Sequence, residues 1–280
     1  MAAQAGTLQN PRLKTMVIPR EHGAWGMLLI PLATGAVVAA RSGVNGPALF
    51  WFVLAALSLF WLRTPLEAWL GASAIKAQSP QERSLVLRVS VGVGVLAAIA
   101  VAMLFVAGYA RGLVVVGMVA GLAFAAQAVV KKLGRRGRMP AQVIGAIGLT
   151  STAAAAHYVA SGSFHRVAIT LWLANWLFAG NQVHFVQVRL RGSRLATSAD
   201  KARQAYAFLG GQIALLVVIG LLTRFGIFPA LTALAFVPVI LRGFLWFLRG
   251  TQPLDVHKLG FSELAHALIF GALLCMAYMM

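Results

Sequence analysis

Charge is what this sequence has least of. Only 11% of its 280 residues are Asp, Glu, Lys or Arg, against about 25% in ordinary globular chains. Hydrophobic residues make up 60% and the mean hydropathy is +0.83. A soluble domain of this size could not hide so much apolar surface in one core, so the excess must face lipid. Cysteine is nearly absent as well. Cys275 stands alone, which excludes an internal disulfide and a cysteine-based zinc site. Three sequence motifs are missing: the phosphate-binding P-loop, the G-x-S-x-G nucleophile turn and the H-E-x-x-H metalloprotease helix. Neither an internal repeat of the transporter kind nor a low-complexity tract is visible.

Acid is scarcer than base: 6 acidic residues face 24 basic ones, for a net charge of +18 and a pI near 11.7. In a soluble chain this excess would point to nucleic acid. In a membrane chain it has another cause, because basic residues on cytoplasmic loops orient the helices. No nucleic-acid partner is expected, and the surrounding partner is lipid.

Nine apolar runs approach the roughly 20 residues that cross a bilayer. They cover about 23–40, 46–62, 89–109, 112–130, 141–160, 167–188, 205–223, 225–247 and 261–279. The predicted fold class is therefore all-α, a polytopic membrane bundle of about nine transmembrane helices. Residues 1–15 are polar and weakly basic and read as a mobile tail without a cleavable signal; residues 16–280 read as one transmembrane domain. With the N-terminus in the cytoplasm, 20 of the 24 Lys and Arg side chains fall on cytoplasmic loops, Arg242 among them, leaving Arg41, Arg111, Arg166 and Arg224 outside. That asymmetry predicts a multi-pass protein of a bacterial inner membrane with an external C-terminus. Gly117 with Gly121, and Ala141 with Gly145, are small-residue pairs that let helices approach closely. The basic run from Lys131 to Arg138 is topogenic and attracts anionic headgroups.

All six acids, Glu21, Glu67, Glu82, Asp200, Asp255 and Glu263, then fall on the cytoplasmic side. Chemistry that uses a carboxylate must occur near that face. Four polar clusters stand out. Pro19 to Gly26 (PREHGAWG) holds Glu21 and His22 at the start of the first span; it is either a capped interfacial helix start or a way of presenting one of these groups to an internal pocket. Arg63-Thr64-Pro65-Leu66-Glu67 follows the second span. Its Arg63 and Glu67 stand at i and i+4 and can pair on a helix, while Pro65 between them predicts a broken or newly started one.

The third cluster is the richest. Asn181, His184, Gln187 and Arg191 recur at helical spacing as a polar stripe at the end of the sixth span, and Arg189 stands between the last two. Lipid rejects such a stripe, so it is expected to face the bundle interior or a hydrated cavity. The fourth cluster has Glu263 and His266 at i and i+3, one half of a di-iron helix motif. The second half and the partner glutamates are missing, so a hydrogen-bonded helix start is preferred over a metal site.

The segment PREHGAWG with Pro31 following, together with RTPLE at Arg63–Glu67 and the arginine-rich end of the sixth span, resembles the YwiC-like family of bacterial integral membrane proteins. A more distant resemblance is to the UbiA-type intramembrane prenyltransferases, with nine helices, an inside N-terminus and polar clusters after helices two and six. It implies a UbiA-like arrangement around a cytoplasm-facing cavity. That family binds magnesium and a prenyl diphosphate through aspartate-rich motifs, because Mg²⁺ must bridge the diphosphate oxygens. Here the corresponding regions retain only Glu67, and no catalytic residue of that family carries over.

The expected function is retention of an amphipathic ligand, an isoprenoid, a quinone or a tetrapyrrole, in a polar cavity. Arg63, Arg189 and Arg191 would grip an anionic head, with Glu67, Asn181, Gln187, Glu263 and His266 around it. Glu21, His22 and His184 are the candidates for proton transfer or axial haem ligation. If the protein is an enzyme, it is a divergent UbiA-like transferase lacking the aspartate motifs; haem or a divalent metal is the candidate cofactor. The alternatives are a small-solute or ion transporter and a non-catalytic respiratory or assembly subunit.

Overall fold

The computed structural model describes residues 11–19, 22–71, 75–134, 137–192, 198–249 and 254–280. In chain order the helices are α1 (Pro11–Val17), α2 (His22–Ala39), α3 (Gly46–Trp69), α4 (Pro80–Val106), α5 (Ala110–Lys131), α6 (Arg138–Thr150), α7 (Thr152–Ser161), α8 (Arg166–Gly192), α9 (Ser198–Arg224), α10 (Thr232–Arg249) and α11 (Val256–Met279). No strand occurs among the described residues. The chain is a polytopic all-α bundle. Six of its helical stretches are long and apolar enough to cross a membrane: α3, α4, α5, α6 with α7, Arg203–Arg224 of α9, and α11. Backbone hydrogen bonding closed within each helix is what lets a chain lie in hydrocarbon.

The chain divides into two compact units. The first comprises residues up to Glu21 and Asn45–Ala110. Its helices start on well-defined caps. Asn45 accepts from the Ala48 amide (3.1 Å) and donates to the Tyr109 hydroxyl (2.9 Å). Ser79 and Glu82 form a reciprocal capping box on α4, satisfying two amides that the first turn leaves open. Of the expected tail, residues 1–10 lie outside the described residues; from Pro11 the chain is helical and buries Met16 against Ala68, Ala77 and Val86. Arg12 reaches Glu82 (3.3 Å) and Gln78 (2.8 Å), and the Trp61 indole donates to the Val17 carbonyl (2.7 Å).

At Pro65 the structure departs from the expectation of a break. Helix α3 runs through it to Trp69, with the Arg63 guanidinium bonded to Glu67 at 2.9 Å across it. A proline removes one backbone donor, and such a loss is tolerated where neighbours re-satisfy the freed carbonyl.

The second unit comprises His22–Val44 and Arg111–Met280. One apolar run, 141–160, proves to be two helices meeting at Ser151. Three consecutive hydroxyls bond back to the preceding turn there: Thr150 to Ala146 O (2.7 Å), Ser151 to Gly148 O (2.7 Å) and Thr152 to Leu149 O (2.8 Å). Such back-bonding competes with the helical ladder and bends it. Thr152 also donates to the Leu28 carbonyl of α2 at 3.1 Å. Helices α2 and α7 touch backbone to backbone, since a β-carbon on Gly35 would lie 2.1 Å from the Ala153 oxygen. The core is aromatic: Phe178 stacks on Phe270 at 4.0 Å, and Phe236 meets Phe270 edge-on at 5.1 Å.

Candidate functional site

Helix α8 carries the polar side chains of the second unit, and its 27 residues are not among the six long apolar stretches. Each polar turn has its own partner. Asn175 donates to the Thr34 hydroxyl (3.1 Å), Gln182 to the Glu263 carbonyl (2.8 Å) and Gln187 to Gln142 Oε1 (2.8 Å). Asn181 Oδ1 accepts from Arg242 Nη2 at 3.3 Å. The expected stripe is thus divided among neighbours: Asn181 turns toward α10, Gln187 toward α6 and His184 toward α9, while Arg191 is exposed.

Arg242 is the residue that sequence reasoning missed. It was counted with the loop charges, yet it lies within α10 and pairs with Glu263 of α11, both side chains about a tenth exposed. Its guanidinium sits 4.0 Å over the Phe185 ring, an arrangement in which the ring's negative face replaces part of the lost hydration. Phe208 and Trp246 complete an edge-to-face aromatic wall around it. Removal of two charges from water is tolerated only when they are paired and hydrogen-bonded. Here Asn181 supplies part of that bonding to the arginine. The buried amide of Gln212 and the Trp246 indole nitrogen have no partner among the described residues. The signal for Arg242 and Gln212 was available: each is a polar residue inside an otherwise apolar run.

Beside this pair, α6, α8 and α9 line an open cavity of about 210 Å³. Met139, Val143, Trp176 and Leu215 form apolar walls, and Asn181 and His184 are its polar lining. The Trp176 indole is occupied by the Val143 carbonyl at 3.1 Å. His184 packs edge-on to Phe208 (ring centroids 5.1 Å apart) and lies against the bare backbone of Gly211.

The other predicted residues are distributed differently. Arg63 and Glu67 belong to the first unit and bond to each other. Arg189 is half-buried and Arg191 exposed in the last turn of α8, where cations complement the helix dipole. His266 Nδ1 bonds to the Ser262 carbonyl at 2.7 Å. Among the described residues no three His, Cys, Asp or Glu side chains are placed to hold a metal ion. Glu21 lies outside the described residues. His22 is described only as the first residue of α2.

Apolar helices of spanning length and a polar centre sealed inside a bundle define an integral, multi-pass membrane protein. The family model of the YwiC-like proteins matches residues 18–158, half of the chain. The chain belongs to the YwiC-like family. The match ends before α8, so Asn181, His184, Arg242 and Glu263 lie outside the matched segment. No curated protein matches the chain.

Proposed function

We propose that the protein holds the head group of an amphipathic, membrane-dissolved ligand in the cavity between α6, α8 and α9. The observation that carries this reading is the pairing of apolar walls with two polar side chains, Asn181 and His184, backed by the buried Arg242–Glu263 pair. Ligand pockets of about 300–1,000 Å³ take whole drug-sized molecules. At about 210 Å³ this one suits a ring-sized head, with the apolar body lying outside it along α9 next to Leu215, where Val218 is exposed on the same side of the helix. Among the described residues the lining contains no carboxylate, which does not suit a magnesium-bound diphosphate. The excess of basic residues at one set of helix ends supports a bacterial inner-membrane location with a cytoplasmic N-terminus.

A transporter is the second reading, favoured by an ion pair buried among membrane helices. Against it, the stacked Phe178 and Phe270 with Phe236 close the core of the unit with carbon. Uptake of a solute into proteoliposomes would decide for transport.

Native mass spectrometry of protein released from its own membranes tests the main reading. A small molecule should be retained by the wild type and lost from the double variant Asn181→Leu, His184→Phe, with an unchanged helical circular dichroism spectrum as the check that the variant is folded. A ligand-free wild type would remove the proposal, and a stoichiometric second chain would make the protein a subunit of an assembly.

A further inference from the structure

The cavity's polar groups are biased toward donation, and the bias comes from outside it. An arginine guanidinium can only donate. By donating to Asn181 Oδ1 it settles the orientation of the amide, because the oxygen must face Arg242 and the nitrogen must face away. Asn181 Nδ2 has no bond to any described residue, and Asn181 lines the cavity. It therefore offers N–H groups without an acceptor. His184 offers one N–H in either neutral tautomer and two when charged. Among the described residues no Asp, Glu, Ser, Thr or Tyr side chain lines the cavity, and the indole of Trp176 there is already bonded.

We infer that the head group held here presents an oxygen acceptor, a ring-borne carbonyl or carboxylate, to Asn181 and His184, and that Arg242 is the positioning residue that makes Asn181 a donor. This rests on the cavity reading above. A cationic or donor-only head would face the Asn181 N–H groups and could bond only to the unprotonated nitrogen of a neutral His184, and a buried donor left facing a donor loses its hydrogen bond to water without replacement. The acceptor head gains two hydrogen bonds against apolar walls. Glu263 completes the device by holding the Arg242 guanidinium in place; without it the arginine would not be fixed toward Asn181.

Three probes of equal ring size separate the cases: 1,4-naphthoquinone, 2-naphthoate and 2-naphthylmethylammonium, each measured by equilibrium dialysis against the purified full chain in detergent. The quinone or the naphthoate should bind at least about tenfold more tightly than the ammonium, and which of the two leads tells a neutral carbonyl from a carboxylate. Asn181→Asp keeps an oxygen for Arg242 and removes the N–H donors, so the preference should fall to near unity or reverse. Arg242→Met combined with Glu263→Met removes both charges together and frees the Asn181 amide to rotate. It should keep binding but lose the preference, a readout that a purely structural role for Arg242 would not move.

Retention of no probe by the wild type would remove the cavity reading itself. Equal binding of all three, or preference for the ammonium, would leave the cavity standing and overturn this inference. A preference undiminished in both the Asn181→Asp chain and the double methionine chain would overturn the roles given to Asn181 and Arg242.

Discussion

A β-carbon placed on Gly211 would lie 2.7 Å from Cε1 and 2.9 Å from Nδ1 of His184. The imidazole is thus seated against the backbone of α9, and the glycine is the reason it can be. Gly211→Ala should push the ring from its position beside Phe208, because contacts that short force a side chain off its rotamer. Alanine is otherwise the better helix former by about 1 kcal/mol, so the helix itself should not suffer. The expected result is lost ligand retention in native mass spectra with an unchanged helical circular dichroism spectrum and melting temperature. Retention at the wild-type level would mean that the position of His184 does not matter to the ligand.

The Arg242–Glu263 pair predicts strong non-additivity. Removing one partner leaves a charge stranded among aromatic and aliphatic side chains, and such single changes cost about 3–5 kcal/mol. Replacing both by apolar residues of similar volume is often neutral. Arg242→Met and Glu263→Leu should each lower the thermal midpoint in detergent markedly, and the double variant should recover most of the loss. A double variant whose loss equals the sum of the singles would show that the two residues act independently.

These two relationships also mark how far the sequence could be read. The apolar runs announce the helices because lipid imposes length and composition together. Yet hydropathy does not distinguish one helix from two, and the junction at Ser151 depends on three hydroxyls choosing carbonyls in the preceding turn. Asn181, His184, Gln187 and Glu263 were legible as groups that hydrocarbon would reject. What the spacing did not show is the partner each one takes: Gln187 bonds to Gln142 of α6 and Asn181 to Arg242 of α10. Arg242 escaped notice for a physical reason: a basic residue inside an apolar run that ends in a further basic residue can be counted under the topology rule as readily as under the ion-pair rule. Only the proximity of α10 to α11 decides between them.

Acid should loosen the start of α11. Asp255 caps it, accepting from the Lys258 amide at 3.1 Å. That backbone hydrogen bond chiefly, with the Lys258 charge adding to it against a modest opposing desolvation, holds the Asp255 carboxyl below its ordinary pKa. A lowered folded-state pKa means the cap's contribution is fully present above the unfolded carboxyl's pKa and disappears as pH falls through the folded value. Hydrogen exchange at the Lys258 amide should therefore lose protection only in acid beyond the usual aspartate range. Asn caps about as well as Asp without titrating, so Asp255→Asn should keep its protection there. The same acid-induced loss in both chains would assign it to another group.

Gly35 should be much less replaceable than the glycines of α5. It lies where α2 crosses α7, and the atom its β-carbon would meet at 2.1 Å is a backbone oxygen, that of Ala153. A flexible side chain could move aside, but a carbonyl inside a helix cannot move without moving the helix. Around the contact, Ala153 is fully buried and the adjacent Thr152 donates to the Leu28 carbonyl of α2, so separating the two helices also stretches a buried polar link. Overpacking of this kind costs about 1–3 kcal/mol even in soluble cores with some room to yield. Gly35→Ala should therefore lower the melting temperature more than Gly117→Ala or Gly121→Ala on α5, where nothing lies within 4 Å of the added carbon. Thermal unfolding of the three variants in one detergent makes the comparison, and equal melting temperatures would show that α2 and α7 do not approach so closely.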